Sequence, residues 1–192
     1  MPASMLEFLT ARRSANALVA PGPTRAQIDQ MVLATGSVPD HGRMRPFRLA
    51  VIEGDGRAAF GRALAEAAAE RKPGLSAEGA AAIAAKAQRS PTIIVLIASP
   101  RPGKIEIWEQ HATVACAGYA IVLAAHALGV GAVWKSVPFT RGKGLAALFK
   151  LTETEDMFGW IHLGTTPPEE RAGVRPEVDT ATIAMLIDRD PG

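Results

Sequence analysis

Apolar residues recur along the chain at spacings that distinguish helices from strands. Helical spacing near the N-terminus predicts a first helix over residues 4–13, with Ser4 as its N-terminal cap. The break at Pro21-Gly22-Pro23 separates it from a second helix, which Thr24-Arg25-Ala26-Gln27 opens as a capping box. Further helices are predicted over residues 57–71, 76–89 and 143–149.

Runs of β-branched and other apolar residues predict four short strands. Thr92 to Ala98 (TIIVLIA) is apolar without alternation, which is typical of a strand that is covered on both faces. Two other strands are predicted over residues 47–53 and 157–163, and a short strand or a turn over residues 131–136. Strands and helices alternate along the chain, but they do not form regular βαβ units.

The longest predicted helix runs from about Ile105 to Leu128, within a stretch from Ala112 to Trp134 that contains no charged residue. A membrane span requires about 20 apolar residues. Here the helix is expected to end near Gly129, which leaves about 17 apolar residues, so a buried core helix is favoured over a membrane span. Since one chain of this size does not readily cover such a helix, we expect dimerisation through it.

Composition restricts the class of protein further. The chain has 192 residues, enough for a single domain with a core, and its net charge of +2 is spread without a basic run. We therefore expect no nucleic-acid binding. The single cysteine, Cys116, and the absence of a signal-peptide pattern predict a cytoplasmic protein. From about residue 167 to 192 the pattern predicts an irregular C-terminal arm.

Arg12-Arg13-Ser14 ends the first predicted helix and allows two interpretations. Cations at the C-terminus of a helix complement its dipole, which requires no ligand. Alternatively, the guanidinium groups and the hydroxyl bind an anion such as a phosphate, for which arginine offers a rigid set of donors.

Two other polar segments have equally plain alternatives. The segment PDHGRMRPFR, residues 39–48, reads as a solvated turn before a strand, and its histidine has no second ligand at metal-binding spacing. Gly129-Val130-Gly131 reads as a helix end followed by a turn, although glycines also let the backbone approach a planar ligand. No catalytic acid–base pair and no GxSxG nucleophile motif is present, so no catalytic side chain is predicted.

Taken in order, these segments resemble the nitroreductase family, and in particular its compact bacterial branch. The resemblance extends from Leu6 to about Pro167. The matching stretches are RRSANALVAPGPTRAQI, VPDHGRMRPFRLAVIEG, PTIIVLIA, WEQHATVACAGYAIVLAAHALGVGAVWKS and GWIHLGTTP. The resemblance implies an α+β fold with a central, mostly antiparallel sheet flanked by helices and with the long helix at a dimer interface. It also implies a homodimer with two FMN molecules bound between subunits.

The resemblance implies a role for individual residues. Arg12, Arg13 and Ser14 match a triplet that holds the FMN phosphate and ribityl chain. His41 matches a histidine that reaches the flavin of the other subunit. Ser37 stands where relatives often carry arginine.

The segment Trp134-Lys135-Ser136 matches one that is usually Trp-Arg-Ser in this branch, so lysine keeps the charge and loses the bidentate geometry. Trp108 matches a tryptophan beside the long helix, for which packing is favoured over substrate contact. The C-terminal arm is expected to pack on the partner subunit.

The implied activity is reduction of nitroaromatics, quinones or similar electron-poor acceptors. NADPH or NADH would reduce FMN and leave before the acceptor binds, in a ping-pong cycle of hydride transfer. A protein that stores or delivers FMN with little turnover would have nearly the same sequence. A third interpretation keeps the fold and changes the reaction, to deiodination or flavin breakdown, but no additional lid segment supports it.

Overall fold

The structure is a computed structural model that describes residues 4–170 and 173–187 of the chain. It contains the four predicted strands and seven helices among the described residues, together with short 3₁₀ turns. The helices are α1 (Met5–Ala11), α2 (Arg25–Ala34), α3 (Gly56–Arg71), α4 (Ala77–Ala84), α5 (Ile107–Ala127), α6 (Lys143–Phe149) and α7 (Thr180–Ile183). The strands are β1 (Phe47–Ile52), β2 (Thr92–Ala98), β3 (Gly131–Lys135) and β4 (Asp156–Gly164).

The four strands form one antiparallel sheet in the order β1-β2-β4-β3. The predicted α+β fold with a central antiparallel sheet is therefore confirmed. β2 lies inside the sheet and is buried along its whole length, as its uninterrupted apolar run predicts. β3 lies at an edge, which leaves one side of its backbone open to another segment of the chain.

Helices cover both faces of the sheet. Side chains from α3 and α6 pack on one face against alternate residues of β2 and against Trp160. Side chains from α2 and α5 pack on the opposite face against the remaining residues of β2, together with Ala132 of β3 and Ile161 of β4. The alternation of side chains along each strand thus divides the apolar residues between two cores.

The predicted helix starts are confirmed at two capping boxes. Ser4 and Glu7 exchange hydrogen bonds with each other's backbone N–H groups at the start of α1, and Thr24 and Gln27 do so at the start of α2. These local bonds satisfy N–H groups that have no partner within a helix, so the sequence alone determines them.

The long helix α5 is buried along one stripe only. Its opposite face is open, with Trp108 70% exposed and Tyr119 47% exposed. Packing of Trp108 is therefore absent within the described chain. Among the described residues, no helix is long and apolar enough to cross a membrane.

The C-terminal arm leaves the sheet after β4. A bridge between Val19 and Thr165 ties the start of this segment to the N-terminal part of the chain. Residues 173–187 are exposed, and the apolar side chains among them include Val174 at 96% and Leu186 at 86% exposure. The last residues predicted for the arm, 188–192, lie outside the described part of the chain, as do residues 171 and 172.

Candidate functional site

The segment after α1 runs along the open edge of β3. The helix ends at Arg12, whose φ and ψ of −55° and 133° turn the backbone out of helical geometry. Three residues later, Ala15 N donates a hydrogen bond of 3.0 Å to Ala132 O of β3. The edge strand therefore fixes the Arg12-Arg13-Ser14 segment, and this contact is one that helical periodicity cannot predict.

Two cavities lie on either side of this segment and share Ser14 and Ala15. The larger, of about 310 Å³, lies toward α5 and is lined by Arg12, Arg13 and the turn Gly129–Gly131. The smaller, of about 180 Å³, lies toward the α3 face and is lined by Lys135, Arg89 and His162. The structure thus brings Arg12, Arg13, Ser14 and Lys135 together around one sheet edge, although they are far apart in sequence.

Arg12 and Arg13 differ in their partners. The Arg13 guanidinium donates to Thr10 O at 2.7 Å and to Arg12 O at 3.0 Å, so it binds carbonyls at the end of α1. This is the structural role that a cation at a helix C-terminus has without any ligand. The Arg12 guanidinium makes no hydrogen bond to a described residue, and it is half-buried in the wall of the larger cavity. Arg12 is therefore the arginine that is available to a bound anion.

The glycines after α5 shape the wall of the larger cavity. Gly129 has a φ of +69°, and Val130 N donates to Ala125 O at 2.9 Å, so this turn ends the helix in left-handed geometry. A side chain on Gly131 would meet Leu18 Cδ2 at 2.6 Å. The interpretation as a helix end is confirmed, and the same turn lines the larger cavity.

The residues of Trp134-Lys135-Ser136 point in different directions. Trp134 packs toward α5, where a side chain on Gly118 would meet its Cη2 atom at 2.6 Å. Lys135 lies on the opposite face of β3 and lines the smaller cavity. Ser136 follows the end of the strand, is exposed, and lines neither cavity. Of this segment, Lys135 is the residue whose side chain reaches a cavity.

Ser37 and His41 line neither cavity. Ser37 Oγ donates to Ala34 O at 2.8 Å, a bond that completes the end of α2. His41 pairs through Nδ1 with Glu109 Oε2 at 2.8 Å, and its side chain is 66% exposed. The predicted role of His41, which requires a second subunit, is consistent with this exposed location outside the cavities of its own chain.

Three residues near the cavities were not predicted from the sequence: Arg89, His162 and Glu170. The Glu170 carboxylate accepts hydrogen bonds from Asn16 N at 2.6 Å and Ala17 N at 3.0 Å, and so attaches the start of the C-terminal segment beside Ser14. The sequence does contain a feature that could have indicated His162, because it is a polar residue within an apolar run that predicts a strand. Arg89 has no comparable signal, because it precedes Pro91 in an ordinary helix end.

His162 is part of a buried hydrogen-bonded group. Ser90 Oγ donates to Thr92 O at 2.9 Å and lies 2.7 Å from His162 Nδ1, so the Nδ1–H donates to Ser90. Trp160 Nε1 donates to His162 Nε2 at 2.8 Å. Burial and, to a smaller extent, the positive charges of Arg89 and Lys135 together lower the pKa of His162 to about 4. His162 is therefore neutral at physiological pH, with its proton on Nδ1.

The two cavities together suit an elongated anionic ligand. Arg12 and Arg13 supply positive charges to the larger cavity, which Glu170 also lines, Lys135 and Arg89 supply two to the smaller, and Ser14 lines both. The donors are guanidinium, ammonium and hydroxyl groups, which bind phosphate and other oxyanions. Within the described ranges, no cluster of three or more His, Cys, Asp or Glu residues could hold a metal ion.

Comparison with known proteins gives a consistent result. The family model described as "Nitroreductase family" matches residues 9–165. A protein of Escherichia coli K12, provisionally named NAD(P)H nitroreductase YdjA, is 35% identical over 161 residues, which cover 83% of this chain and 87% of that protein. A Haemophilus influenzae protein with a similar provisional name is 31% identical over 166 residues, covering 83% and 87%.

Solved structures share the fold at lower identity. A nitroreductase-like protein from Bacillus cereus has a TM-score of 0.82 at 19% identity, with 98% of each chain covered. A nitroreductase from Bacteroides fragilis, solved with bound FMN, has a TM-score of 0.71 at 16% identity and covers 95% of this chain and 98% of its own.

Proposed function

The chain belongs to the nitroreductase family, and from this premise we propose that it binds FMN and uses NADPH or NADH to reduce small electron-poor acceptors. Nitroaromatics and quinones are the acceptor classes we propose. Relatives above 30% identity carry NAD(P)H nitroreductase names, and a structural neighbour contains FMN. The single observation that carries the proposal is the unpaired Arg12 guanidinium beside Ser14 in a cavity of about 310 Å³.

The residues around the two cavities fit FMN. Arg12 would bind the phosphate, the Ser14 hydroxyl would bind the phosphate or the ribityl chain, and Lys135 would face the ring. The absence of a side chain at Gly131 lets the backbone pack closely against Leu18 and Thr166 at the cavity wall. Bound FMN would accept electrons from the nicotinamide and pass them to the acceptor, while the protein supplies binding, orientation and charge.

The histidine of the smaller cavity is not free to transfer a proton. His162, the histidine that lines the smaller cavity, has both ring nitrogens engaged by Ser90 and Trp160. Its neutral ring therefore forms a fixed wall beside Lys135. This arrangement argues against His162 as a catalytic acid or base.

We propose a homodimer in which each subunit completes the other's FMN site. The larger cavity, at about 310 Å³, lies at the lower limit of the roughly 300–1,000 Å³ typical of ligand sites, and it is open on one side. The exposed face of α5 and the exposed C-terminal arm would cover it from the partner. His41 would then reach the flavin of the other subunit. The lone half-buried Cys116 agrees with a reducing cytoplasm.

An anaerobic absorbance experiment tests the proposal. The protein should bind FMN at about one per subunit, and NADPH or NADH should bleach the flavin band. Addition of a quinone or a nitroaromatic compound should then restore the band. A colourless protein that does not bind added FMN would contradict the cofactor assignment. Binding of FMN without bleaching by either donor would instead favour a storage or delivery protein.

A further inference from the structure

The smaller cavity has an excess of positive charge that the described chain does not neutralise. Arg89, at the end of the 3₁₀ turn before β2, and Lys135, at the end of β3, both line it, and no carboxylate is among its lining residues. Neither side chain forms a hydrogen bond or ion pair with a described residue. The two cations therefore face the cavity without a negative partner from this part of the chain.

His162 lines the same cavity as the two cations. Its ring is 1% exposed, and Arg89 and Lys135 both disfavour its protonation. Nε2 accepts the Trp160 N–H, so protonation there would also break a buried hydrogen bond. Because His162 remains neutral, it neither adds a third positive charge nor offsets the two that are present.

FMN carries negative charge at two ends, and the structure has two cavities lined by cations that share Ser14 and Ala15. One end is the phosphate, which is charged in every redox state. The other is the pyrimidine edge of the ring, because two electrons and one proton added to the ring leave a net negative charge there. Ser14 and Ala15 line both cavities, so a single ligand can lie across this segment with one end in each.

We propose that Arg89 acts with Lys135 to bind the pyrimidine edge of reduced FMN in the smaller cavity. This pair favours the reduced over the oxidised cofactor, whereas Arg12 binds both alike through the phosphate. The inference rests on the proposed function, since it requires that FMN binds at all. It adds Arg89 as a residue that binds the cofactor and raises its reduction potential.

The test compares Arg89→Ala with Arg12→Ala and measures two properties of each variant. One is the dissociation constant of oxidised FMN, from the quenching of flavin fluorescence. The other is the midpoint potential of bound FMN, from equilibration with a reference dye. Arg89→Ala should bind oxidised FMN within about threefold of the parent protein. Its ratio of affinities for reduced and oxidised FMN should fall roughly tenfold, which lowers a two-electron midpoint potential by about 30 mV.

Arg12→Ala should show the opposite pattern, with weaker FMN binding and an unchanged potential. Arg89→Lys, which keeps the charge, should have a midpoint potential close to that of the parent protein. Lys135→Ala should lower the midpoint potential as Arg89→Ala does. Arg25→Ala is the matched control, because it removes an exposed cation on α2 that pairs with Asp29.

The outcomes separate the inference from the function on which it rests. If Arg89→Ala binds FMN and its midpoint potential equals that of the parent protein, the inference is wrong and the proposed function stands. An equal shift in Arg25→Ala would also overturn it, because the effect would then follow net charge alone. A parent protein that binds no FMN would overturn both.

Discussion

Arg12 and Arg13 are adjacent in sequence, but their surroundings predict different consequences of mutation. Arg12→Ala removes an unpaired guanidinium from the larger cavity and should weaken FMN binding by about 1.5–3 kcal/mol, the range for a charge-assisted hydrogen bond. Arg13→Ala removes bonds to Thr10 O and Arg12 O instead. It should lower thermal stability and change FMN affinity less than Arg12→Ala does. Titration with FMN and thermal unfolding of both variants test this difference, and equal losses of affinity would contradict it.

The Glu155 side chain forms the most strongly connected ion pair among the described residues. Arg48 donates to both of its oxygens, at 2.8 Å and 2.9 Å, and Ser99 Oγ and Thr152 N donate as well. The hydrogen bonds from Arg48 lower the pKa of Glu155 from 4.5 to about 2, against the opposing effect of burial. The carboxylate therefore stabilises the fold above pH 4.5, and this contribution is lost as the pH falls from 4.5 toward 2.

Glu155→Gln should accordingly lower the free energy of unfolding at pH 7 by about 1–3 kcal/mol. It should also reduce the dependence of stability on pH between 4.5 and 2, because glutamine does not titrate. Urea unfolding of the parent and the variant at several pH values measures both effects. A pH dependence that is identical in the two proteins would show that another carboxylate is responsible.

At the residue level, the sequence predicted what depends on near neighbours. The caps at Ser4 and Thr24 need only residues three positions away, so their hydrogen bonds could be predicted directly from the sequence. Arg89 and His162 are 73 positions apart and meet Lys135 only because β2, β4 and β3 pair side by side. No local pattern specifies that pairing. This is why the smaller cavity could not be predicted.

Among the helices and strands, α5 packs against β3, which lines both cavities. Gly118 of α5 lies against Trp134, and a side chain there would meet the indole at 2.6 Å and Leu96 Cδ1 at 2.8 Å. Gly118→Ala should therefore move β3 or distort Trp134, at a cost of about 1–3 kcal/mol for overpacking. We also expect weaker FMN binding, because Lys135 follows Trp134 on the same strand.

A matched control is available at Gly36, which lies in an ordinary backbone conformation with no heavy atom within 4 Å of an added Cβ. Gly36→Ala should leave stability and FMN affinity nearly unchanged. Urea unfolding, tryptophan fluorescence and FMN titration compare the two variants. If Gly118→Ala is as stable as Gly36→Ala and binds FMN equally well, the close packing of α5 on β3 does not control the site.

The bounds of the helices and strands were predicted closely from the sequence. Which strands lie side by side in the sheet was not predicted. The run at residues 92–98 indicated a strand covered on both faces, and the structure confirms it. The sequence did not show that β3 is an edge strand, nor that residues 12–15 occupy its open side. Those facts depend on the order of strands in the sheet, and the location of the proposed flavin-binding residues depends on them in turn.

For the whole molecule, the exposed apolar surface of one chain is the main evidence for a partner. Met5 and Leu6 of α1 are 73% and 70% exposed, and Trp108 of α5 is 70% exposed. Apolar surface of this extent on a single subunit marks an interaction site. A second copy of the chain is the occupant that the nitroreductase fold and the open cavity favour.

The C-terminal arm links the proposed dimer to the flavin site. Its base is attached beside Arg12, since Arg175 Nη2 donates to Arg12 O at 2.8 Å and Glu170 binds the Asn16 and Ala17 amides. Further along, Ile183, Met185 and Leu186 are 76%, 83% and 86% exposed. We expect these side chains to pack on the partner while the base of the arm holds the Arg12 segment.

Replacing Ile183, Met185 and Leu186 together by serine tests this arrangement. Each buried apolar side chain contributes about 1.5–3 kcal/mol, so the dimer dissociation constant should rise by at least about 100-fold. FMN should bind more weakly as well, because the partner would no longer cover the cavity. Sedimentation equilibrium and FMN titration measure the two effects.

Val51→Ser is the control, since Val51 is 42% exposed on β1 at the far edge of the sheet. A triple variant that dimerises like the parent protein would exclude the arm from the interface. A triple variant that becomes monomeric but binds FMN with unchanged affinity would show that one subunit completes the site alone.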